Sequence, residues 1–399
     1  MGDRFYKHAA SILRALKRGE GNIKSLCFSE KVESKKKMYA VISEVVRYEN
    51  ILKQVLEKSE ILKHEKRLDE HLCMILVYDF LFGQGVQTRG KLKDCIMKHK
   101  TRLKAELVKA KIKVGVVKNE DLSKEIVPLP RYVRVNTLLT DFETVRNHFQ
   151  ETALTDVHIP DLLVFPPKFD LHKDPMYING SIIIQDKASC FPAFILNPEP
   201  GSHVIDCCAA PGNKTSHLAA IMHNSGRIFA FDKSSQRLET LKKLTTKAGC
   251  KIIEPINGDF LLTDPLDPKY EKVEYILCDP SCSGSGMPDQ VELAQPRDLK
   301  ERLGNLSRFQ FDIVSHAMSF PKVKLITYST CSIYDEENEM VVSQLLKSNP
   351  DWRLRSIIPE WKHRGKQEFA DSQFMIRCDQ TDNTTGFFVV CFGREIKGQ

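Results

Sequence analysis

The sequence predicts an α/β fold class: a doubly wound, mostly parallel sheet, preceded by a small α+β module and an N-terminal all-α domain. Three patterns carry this expectation. From about Gly180 onward, short apolar strand candidates alternate with helical segments, the rhythm of parallel strands joined by crossover helices. Residues 128–180 run strand, helix, strand, strand. Residues 1–118 carry helical periodicity. At 399 residues the chain has room for two or three domains.

In the N-terminal part, Val41, Val45, Tyr48, Leu52 and Val55 recur at four- and three-residue intervals, one face of a helix. Leu68 to Leu81 is a second apolar helix, stopped by Gly83 and Gly85. Residues 89–118 hold 11 basic and 2 acidic residues, while Leu92, Cys95, Ile96, Leu103, Leu107, Ala110 and Ile112 form an apolar stripe. This predicts a structured basic helix. Asn119 to Pro130 reads as a linker. In the small module, Pro130 to Val135 is a strand ending in Asn136-Thr137. Thr140-Asp141 caps a helix through Phe149, with Glu143 as capping-box partner. Val157–Phe165 and Tyr177–Ile184 are further strand candidates.

The third region, 181–396, supplies the parallel sheet. Its strands are expected at His203–Asp206, Arg227–Asp232, Lys251–Glu254, Tyr275–Asp279, Lys324–Tyr328 and Phe387–Phe392. In such sheets ligands bind beyond the carboxyl ends of the strands, at the switch point.

Charge divides the chain. Residues 1–118 hold 27 basic and 14 acidic residues, a balance of +13; residues 119–399 hold 32 and 38, a balance of −6. The excess positive charge lies wholly in the first third, so a polyanion is the expected partner there, nucleic acid before acidic membrane. Solvated helix faces are the bland alternative. No apolar run approaches the ~20 residues of a membrane span, and the N-terminus lacks a signal-peptide core. The 12 Cys form no CxxC and the 12 His no HExxH, so neither a zinc site nor a disulfide framework is expected. The compartment reads as reducing.

The residues after the strands carry chemistry. Asp206 runs into Cys-Cys-Ala-Ala-Pro-Gly-Asn-Lys-Thr215, a tight turn of small residues before a helix. It is neither GxGxxG nor GxxxxGK[ST], so a dinucleotide or triphosphate fits poorly. Asp232, ending the second strand, can accept from a ribose diol. Asp259 can meet an adenine edge, and Asp279 ends the fourth strand. A nucleoside, an amino-acid moiety and a row of strand-end acids together point to S-adenosylmethionine; an ordinary tight turn with helix caps is the plainer alternative.

The fourth strand runs into Asp279-Pro-Ser-Cys-Ser-Gly-Ser-Gly286 and the fifth into Tyr328-Ser-Thr-Cys-Ser332. Cys282 and Cys331 thus stand over one rim. A lone strand-end thiol is ordinarily structural, but a pair beside such a pocket is specific. The helix expected over Asp335 to Leu346 can lower the Cys331 pKa, although Asp335, Glu336 and Glu337 oppose this. Pyrimidine C5 is a poor nucleophile. A thiolate adding at C6 makes C5 nucleophilic enough to attack a methyl sulfonium; the C5 proton and the thiol must then leave. One Cys can be the nucleophile and the other can assist proton removal or release. Asp279 can hydrogen-bond the N3/N4 edge of the base.

Cys208-Ala-Ala-Pro-Gly-Asn-Lys214, the Asp279–Gly286 and Tyr328–Ser332 segments, and Glu337-Asn-Glu339 resemble the signature blocks of the NOL/NOP/Sun-domain RNA cytosine-C5 methyltransferases. Arg131-Tyr-Val-Arg-Val-Asn-Thr-Leu138 and Ile184-Gln-Asp-Lys-Ala-Ser-Cys190 resemble that family's upstream blocks. The resemblance covers roughly residues 128–393. It implies a Rossmann-like S-adenosylmethionine-dependent methyltransferase domain over 181–396 and an RRM-like RNA-binding module over 128–180. It implies that Cys331 is the nucleophile and that Cys282 assists release. Cys208, Ala209, Ala210, Pro211, Gly212, Asn213, Lys214, Asp232, Arg237, Asp259 and Asp279 would bind the cofactor, and Arg134 and Asn136 would face RNA.

Asn213 in place of the commoner Gly, with Asp279-Pro-Ser-Cys-Ser-Gly-Ser-Gly-Met287, is similar to the member-five branch. That branch acts on large-subunit (28S/25S) rRNA, implying 5-methylcytosine formation and a nuclear, nucleolar location. Asn213 can adopt the left-handed conformation a Gly would use, so cofactor binding need not suffer. Thr385-Gly-Phe-Phe388 departs from the family in lacking Asp before Gly-Phe-Phe.

Two other readings compete. A DNA cytosine methyltransferase would need its single Cys in a Pro-Cys context, whereas Ser281 intervenes and Cys331 would have no role. A non-catalytic RNA-binding assembly factor with a vestigial fold would not need both Cys and every strand-end acid. The expected partner is RNA, bound by Lys98, Lys100, Arg102 and Lys104, with no membrane, no metal and a monomeric chain. Trp352 and Trp361 are expected to pack under the sheet edge.

Overall fold

The structure, a computed structural model, describes all residues except 1, 19, 22, 30, 31, 33, 120, 121, 123–127, 288–295 and 396–399. Most of the expected linker and the final residue of the third region therefore lie outside the described residues. The chain divides into two compact units: Met1–Ile126 with Asp289–Asp298, and Val127–Pro288 with Leu299–Gln399.

The first unit is helical: α1 (Asp3–Lys17), α2 (Ile23–Cys27), α3 (Lys35–Arg47), α4 (Glu49–Ser59), α5 (Ile61–His64), α6 (Glu70–Leu81), α7 (Lys91–Lys98) and α8 (Lys100–Val114). Tyr6, Leu13, Leu52, Ile75 and Leu76 are fully buried in one core. The side chain of Asp69 caps α6, accepting from His71 N at 3.1 Å and Leu72 N at 3.2 Å. Burial there is nearly all round, from Leu72 to Asp79, as its run of apolar residues requires. The periodic stretch 41–55 is two helices rather than one, broken at Tyr48 (φ −95°, ψ 10°). The basic segment is likewise broken at His99. Leu103, Leu107 and Ala110 bury the inner face of α8, but Ile112 is exposed and does not belong to the stripe.

The second unit holds two sheets. The small one has the order β2-β3-β1-β4. It is built from β1 (Arg131–Val135), α9 (Phe142–Phe149), β2 (Leu154–Thr155), β3 (Leu162–Phe165), α10 (Pro175–Asn179) and β4 (Ile182–Ile184). Asp141 caps α9 through Thr144 N at 2.8 Å. The strand expected over 177–184 begins only at Ile182. Asp174 caps a short helix whose first residue is Pro175, where the missing N–H costs nothing.

After α11 (Lys187–Leu196) come β5 (His203–Asp206), α12 (Asn213–Ile221), β6 (Arg227–Asp232), α13 (Ser235–Lys247), β7 (Ile253–Asn257), β8 (Val273–Cys278), α14 (Pro296–Met318) and β9 (Leu325–Thr330). The chain closes with α15 (Glu339–Ser348), β10 (Trp352–Leu354), β11 (Ile376–Cys378) and β12 (Phe387–Arg394). These strands form an eight-stranded sheet of order β10-β12-β9-β8-β5-β6-β7, with β11 on β12. β5 pairs in parallel with β6 on one side and β8 on the other, so the order reverses there. β12 runs antiparallel to β9. Ile205, Phe229, Ile276, Ile326, Phe388 and Phe392 are fully buried between sheet and helices. Trp352 and Trp361 are buried too, and Trp361 Nε1 donates to Arg377 O at 2.9 Å. β7 starts two residues later than expected, at Ile253.

Candidate active site

Because β5, β6, β7, β8 and β9 run in parallel, their carboxyl ends share one edge. Asp206, Asp232, Asp259, Asp279, Cys282 and Cys331 all stand at or just past it. β5 delivers the chain into the turn 207–212, tied down by Ala209 N donating to Phe231 O at 2.8 Å. Gly212 takes φ +107°, and a Cβ there would press on Leu241 and Thr245 at 3.2 Å. The left-handed residue of the turn is therefore Gly212. Asn213 opens α12 with helical geometry and does not use the left-handed conformation open to it.

Asp206 is buried under this turn. Thr215 Oγ1 donates to its Oδ2 at 2.8 Å, while Oδ1 has no hydrogen-bond partner. Burial, with the Asp279 charge adding to it, pushes the Asp206 carboxyl up to about 7 against the Thr215 hydrogen bond. Asp232 accepts from Ser234 N at 2.9 Å and pairs with Arg237 at 3.3 Å. Arg237 also donates to Ala210 O at 2.6 Å, linking β6 to the turn. Asp259 accepts from Leu261 N at 3.1 Å and pairs with Lys233 at 2.7 Å. An open turn edged with carboxylates, one bearing an orphaned buried oxygen, suits a ligand that carries positive charge and hydroxyl or amino donors.

Asp279 is held on both oxygens. Ser329 Oγ donates to Oδ1 at 2.6 Å and Lys214 Nζ to Oδ2 at 2.7 Å. Burial alone would lower the Lys214 pKa; the Asp279 charge and hydrogen bond outweigh it and raise it. Lys214 Nζ also lies 5.7 Å from the Phe387 ring centroid.

The two thiols meet: Cys282 Sγ lies 3.1 Å from Cys331 Sγ. The hydrogen bond with Cys282 lowers the Cys331 pKa, helped by Lys214 and opposed by burial and Asp279. The same bond, then burial, pushes Cys282 well up. The shifts run in opposite directions, so Cys331 is the more readily ionised thiol of the pair. The expected help from a helix N-terminus does not arise. Residues Asp335–Glu337 form a 3₁₀ turn and α15 starts only at Glu339.

Several residues here carry no catalytic motif of their own. Glu337 is fully buried, accepting from Ser283 N and Gln310 Nε2, both at 2.8 Å, and from Ser332 Oγ at 2.6 Å. Ser329 and Gln310 were not foreseen, and an isolated Ser or Gln gives no signal in sequence. Thr385 donates its hydroxyl to Asp186 at 3.1 Å, beside Thr384 at 2.6 Å. Asp186 already accepts from both hydroxyls, so a hydroxyl donor fits there where a second carboxylate would be repelled.

Arg134 and Asn136 do not face RNA. Each is 1% exposed. β1 is the inner strand between β3 and β4, and its register turns Arg134 into the interior. Arg134 donates to Gln185 Oε1 at 2.9 Å, to Ser216 Oγ at 2.9 Å and to Asn213 O at 3.4 Å. Asn136 Nδ2 donates to Gly180 O at 2.9 Å and Ala248 O at 2.8 Å. Both bind the small sheet to the helices of the large one, with Arg134 reaching the first turn of α12.

In the helical unit Lys98, Lys100, Arg102 and Lys104 are exposed around the α7–α8 junction. Arg102 pairs with Glu60 at 3.0 Å, Lys98 lies 3.8 Å from Glu65, and Lys104 Nζ lies 5.7 Å from the Phe80 ring centroid. Among the described residues one group, His363, Asp379 and Asp382, could offer three metal-ligand atoms. Its members are already joined to each other and to a turn, with His363 Nδ1 3.1 Å from Asp382 and Asp379 capping through Thr381 N. No helix among the described residues is long and apolar enough to cross a membrane.

Comparison with known proteins bears on this geometry. A family model described as 16S rRNA methyltransferase RsmB/F matches residues 193–392. Two models of NOL1/NOP2/Sun domain family member 5, for its N-terminal and ferredoxin-like domains, match residues 36–123 and 149–185. A Mus musculus 28S rRNA (cytosine-C(5))-methyltransferase is 41% identical, covering 98% of this chain and 90% of its own. A Schizosaccharomyces pombe 25S rRNA (cytosine-C(5))-methyltransferase is also 41% identical, covering 96% and 90%. The crystal structure of NSun6 from Pyrococcus horikoshii with SFG superposes with TM-score 0.58 at 18% identity, over 81% of this chain and 98% of that one. A methyltransferase homolog from the same organism gives 0.58 at 23% identity, over 84% and 99%. At such identities the likeness is one of fold.

Proposed function

The chain belongs to the NOL1/NOP2/Sun domain family of methyltransferases, and on that premise we propose that it is an S-adenosylmethionine-dependent enzyme forming 5-methylcytosine in large-subunit rRNA. The observation that carries the reading is the 3.1 Å contact between Cys282 and Cys331, beside the Lys214–Asp279 pair. The rRNA substrate is supported by relatives named for 28S and 25S rRNA at 41% identity over nearly the whole chain.

In this reading Cys331, the thiol of the pair whose pKa is lowered, adds as thiolate to C6 of the target cytosine. The C5=C6 electrons move toward C5 and the ring, and Asp279 with Lys214 holds the polar edge of the base while they do. S-adenosylmethionine supplies a methyl group on a sulfonium, the electrophile that such a C5 requires. A water base then takes the C5 proton, the C5–H bond electrons re-form C5=C6, and the C6–S bond breaks to expel the Cys331 sulfur as thiolate. Cys282, 3.1 Å from that sulfur, assists this release. The residues that would hold the cofactor are Cys208 to Lys214 in the turn, Asp232 with Arg237, Asp259 and Asp279. The orphaned Asp206 oxygen beneath the turn favours a cationic group above it. The exposed basic residues at the α7–α8 junction attract rRNA phosphates. The work is done where rRNA is made, in the nucleus and nucleolus.

The test is methyl transfer from labelled S-adenosylmethionine to large-subunit rRNA. The parent chain should methylate cytosine C5, read by bisulfite sequencing, and Cys331→Ala should not. Transfer by Cys331→Ala at the parental rate would overturn the reading.

A further inference from the structure

The β8–β9 ladder ends at Cys278 and Tyr328, so it does not itself align the two thiols. Cys331 directly follows β9, whose pairing with β12 runs to Thr330, whereas Cys282 lies on the loop four residues past β8. The backbone joins this loop to Cys331 through Gly286 N, which donates to Cys331 O at 2.9 Å, and side chains add to that link across the 3.1 Å sulfur contact. We propose that Glu337 is the positioning residue that holds the two thiols in register, by gripping the residue that follows each of them.

Oε1 of Glu337 accepts from the backbone N–H of Ser283, next after Cys282, at 2.8 Å. Oε2 accepts from the hydroxyl of Ser332, next after Cys331, at 2.6 Å. The two serine hydroxyls meet at 3.1 Å and close the ring. Gln310 of α14 donates to Oε1 at 2.8 Å and to Ser281 O at 3.1 Å, adding a third leg on the Cys282 loop. Glu337 is anchored in turn. Tyr328 OH donates to its carbonyl, and its neighbour Asn338 is held by Thr330 Oγ1 at 2.6 Å and donates to Ser332 O at 2.9 Å. A fully buried carboxylate with three donors on two oxygens is a rigid junction, because losing any leg leaves a buried polar group unpaired. Its charge also adds to the raising of the Cys282 pKa.

This deepens the two-thiol reading and rests on it for its consequence in turnover. The thiol spacing itself can be tested without RNA. Phenylarsine oxide bridges two close thiols with loss of water; the fraction of binding absent in Cys282→Ala and Cys331→Ala reports this pair. Glu337→Ala should lose that fraction and lower kcat by at least about tenfold, as displacement of reacting groups by about 1 Å can cost 100-fold. The KM for S-adenosylmethionine should stay within about twofold, as the cofactor turn does not touch Glu337. Glu337→Gln keeps an acceptor for Ser283 and offers a donor to Ser332 Oγ, so it should retain both activities within about threefold. Ser332→Ala, which removes one leg, should fall between them and keeps the test decisive where Glu337→Ala is unstable. Parental arsenical binding and kcat in Glu337→Ala, or a Gln variant as impaired as the Ala variant, would overturn the proposal. Methylation by Cys331→Ala would overturn the two-thiol reading instead and leave the arsenical result standing.

Discussion

The ammonium of Lys214 lies 2.7 Å from Oδ2 of Asp279, joining the first turn of α12 to the end of β8. This ion pair thus joins the turn proposed to hold the cofactor to the acid proposed to face the base, and its two charges act on the Cys331 thiol in opposite directions. Lys214→Met should leave the fold intact yet lower kcat by roughly 100-fold, the usual scale for losing a preorganised charged donor. Single-turnover methyl transfer checks this; a loss confined to the KM for S-adenosylmethionine would assign Lys214 to cofactor binding alone.

The thiols should titrate apart. Cys331 is held below the ordinary thiol range by the Cys282 hydrogen bond, so its thiolate forms at lower pH. Iodoacetamide alkylation of Cys331 should reach half its maximal rate below about pH 8.5, the free-thiol value. In Cys282→Ala that midpoint should move up, because the hydrogen bond is gone. Mass spectrometry of the Cys331 peptide across pH 6–10 reads both, and a midpoint unmoved in Cys282→Ala would contradict the pairing.

Asp206 should couple stability to pH. Its carboxyl is raised by burial from 3.8 to about 7, with Asp279, Lys214, Thr215 and the Cys208 N–H around it. A raised pKa favours the protonated form in the folded state. The stabilisation is full below pH 3.8 and is lost as pH rises through about 7, a total of about 4 kcal/mol. Asp206→Asn, which mimics the protonated acid, should therefore gain Tm relative to the parent between pH 5 and 8. Parallel Tm curves for the two proteins would show that Asp206 carries no such burden.

Arg134 should behave as a buried brace. Arg134→Ala leaves Gln185, Ser216 and the Asn213 carbonyl without their donor, at a cost of about 1–3 kcal/mol for each buried group left unpaired. Urea unfolding measures this. The salt dependence of RNA binding, taken where the variant is folded, should not change.

The basic face should behave in the opposite way. Neutralising Lys98, Lys100 and Lys104 together should weaken RNA binding and flatten its salt slope by about 0.7–0.9 for each phosphate that no longer meets a cation. Arg102 should add less, because Glu60 already holds it at 3.0 Å. Filter binding across salt concentrations checks the slope; an unchanged slope with lowered Tm would make these residues structural.

Much of the fold was legible in the sequence because apolar strands and strand-end acids mark a parallel sheet residue by residue. The breaks at Tyr48 and His99 were not, since neither carries a Gly or Pro to announce it. The meeting of Cys282 with Cys331 beside Asp279 was legible because each follows a strand end within a distinctive block. For Arg134 and Asn136 the family resemblance implied an RNA-facing place, and their sequence carries no sign of burial. Only the β1–β3 and β1–β4 pairings reveal that the strand is interior. Glu337 stood in a recognisable block, but its grip on two loops depends on β8 and β9 being neighbours, a tertiary fact.

The most direct measurement is to map the bond to RNA. Cys282→Ala incubated with large-subunit rRNA and S-adenosylmethionine should accumulate a denaturant-stable adduct. After nuclease and protease digestion, mass spectrometry should find a 5-methylcytidine nucleotide on the Cys331 peptide. No adduct, or a nucleotide on any other cysteine, would contradict the assignment of Cys331 as nucleophile and Cys282 as the group that releases it.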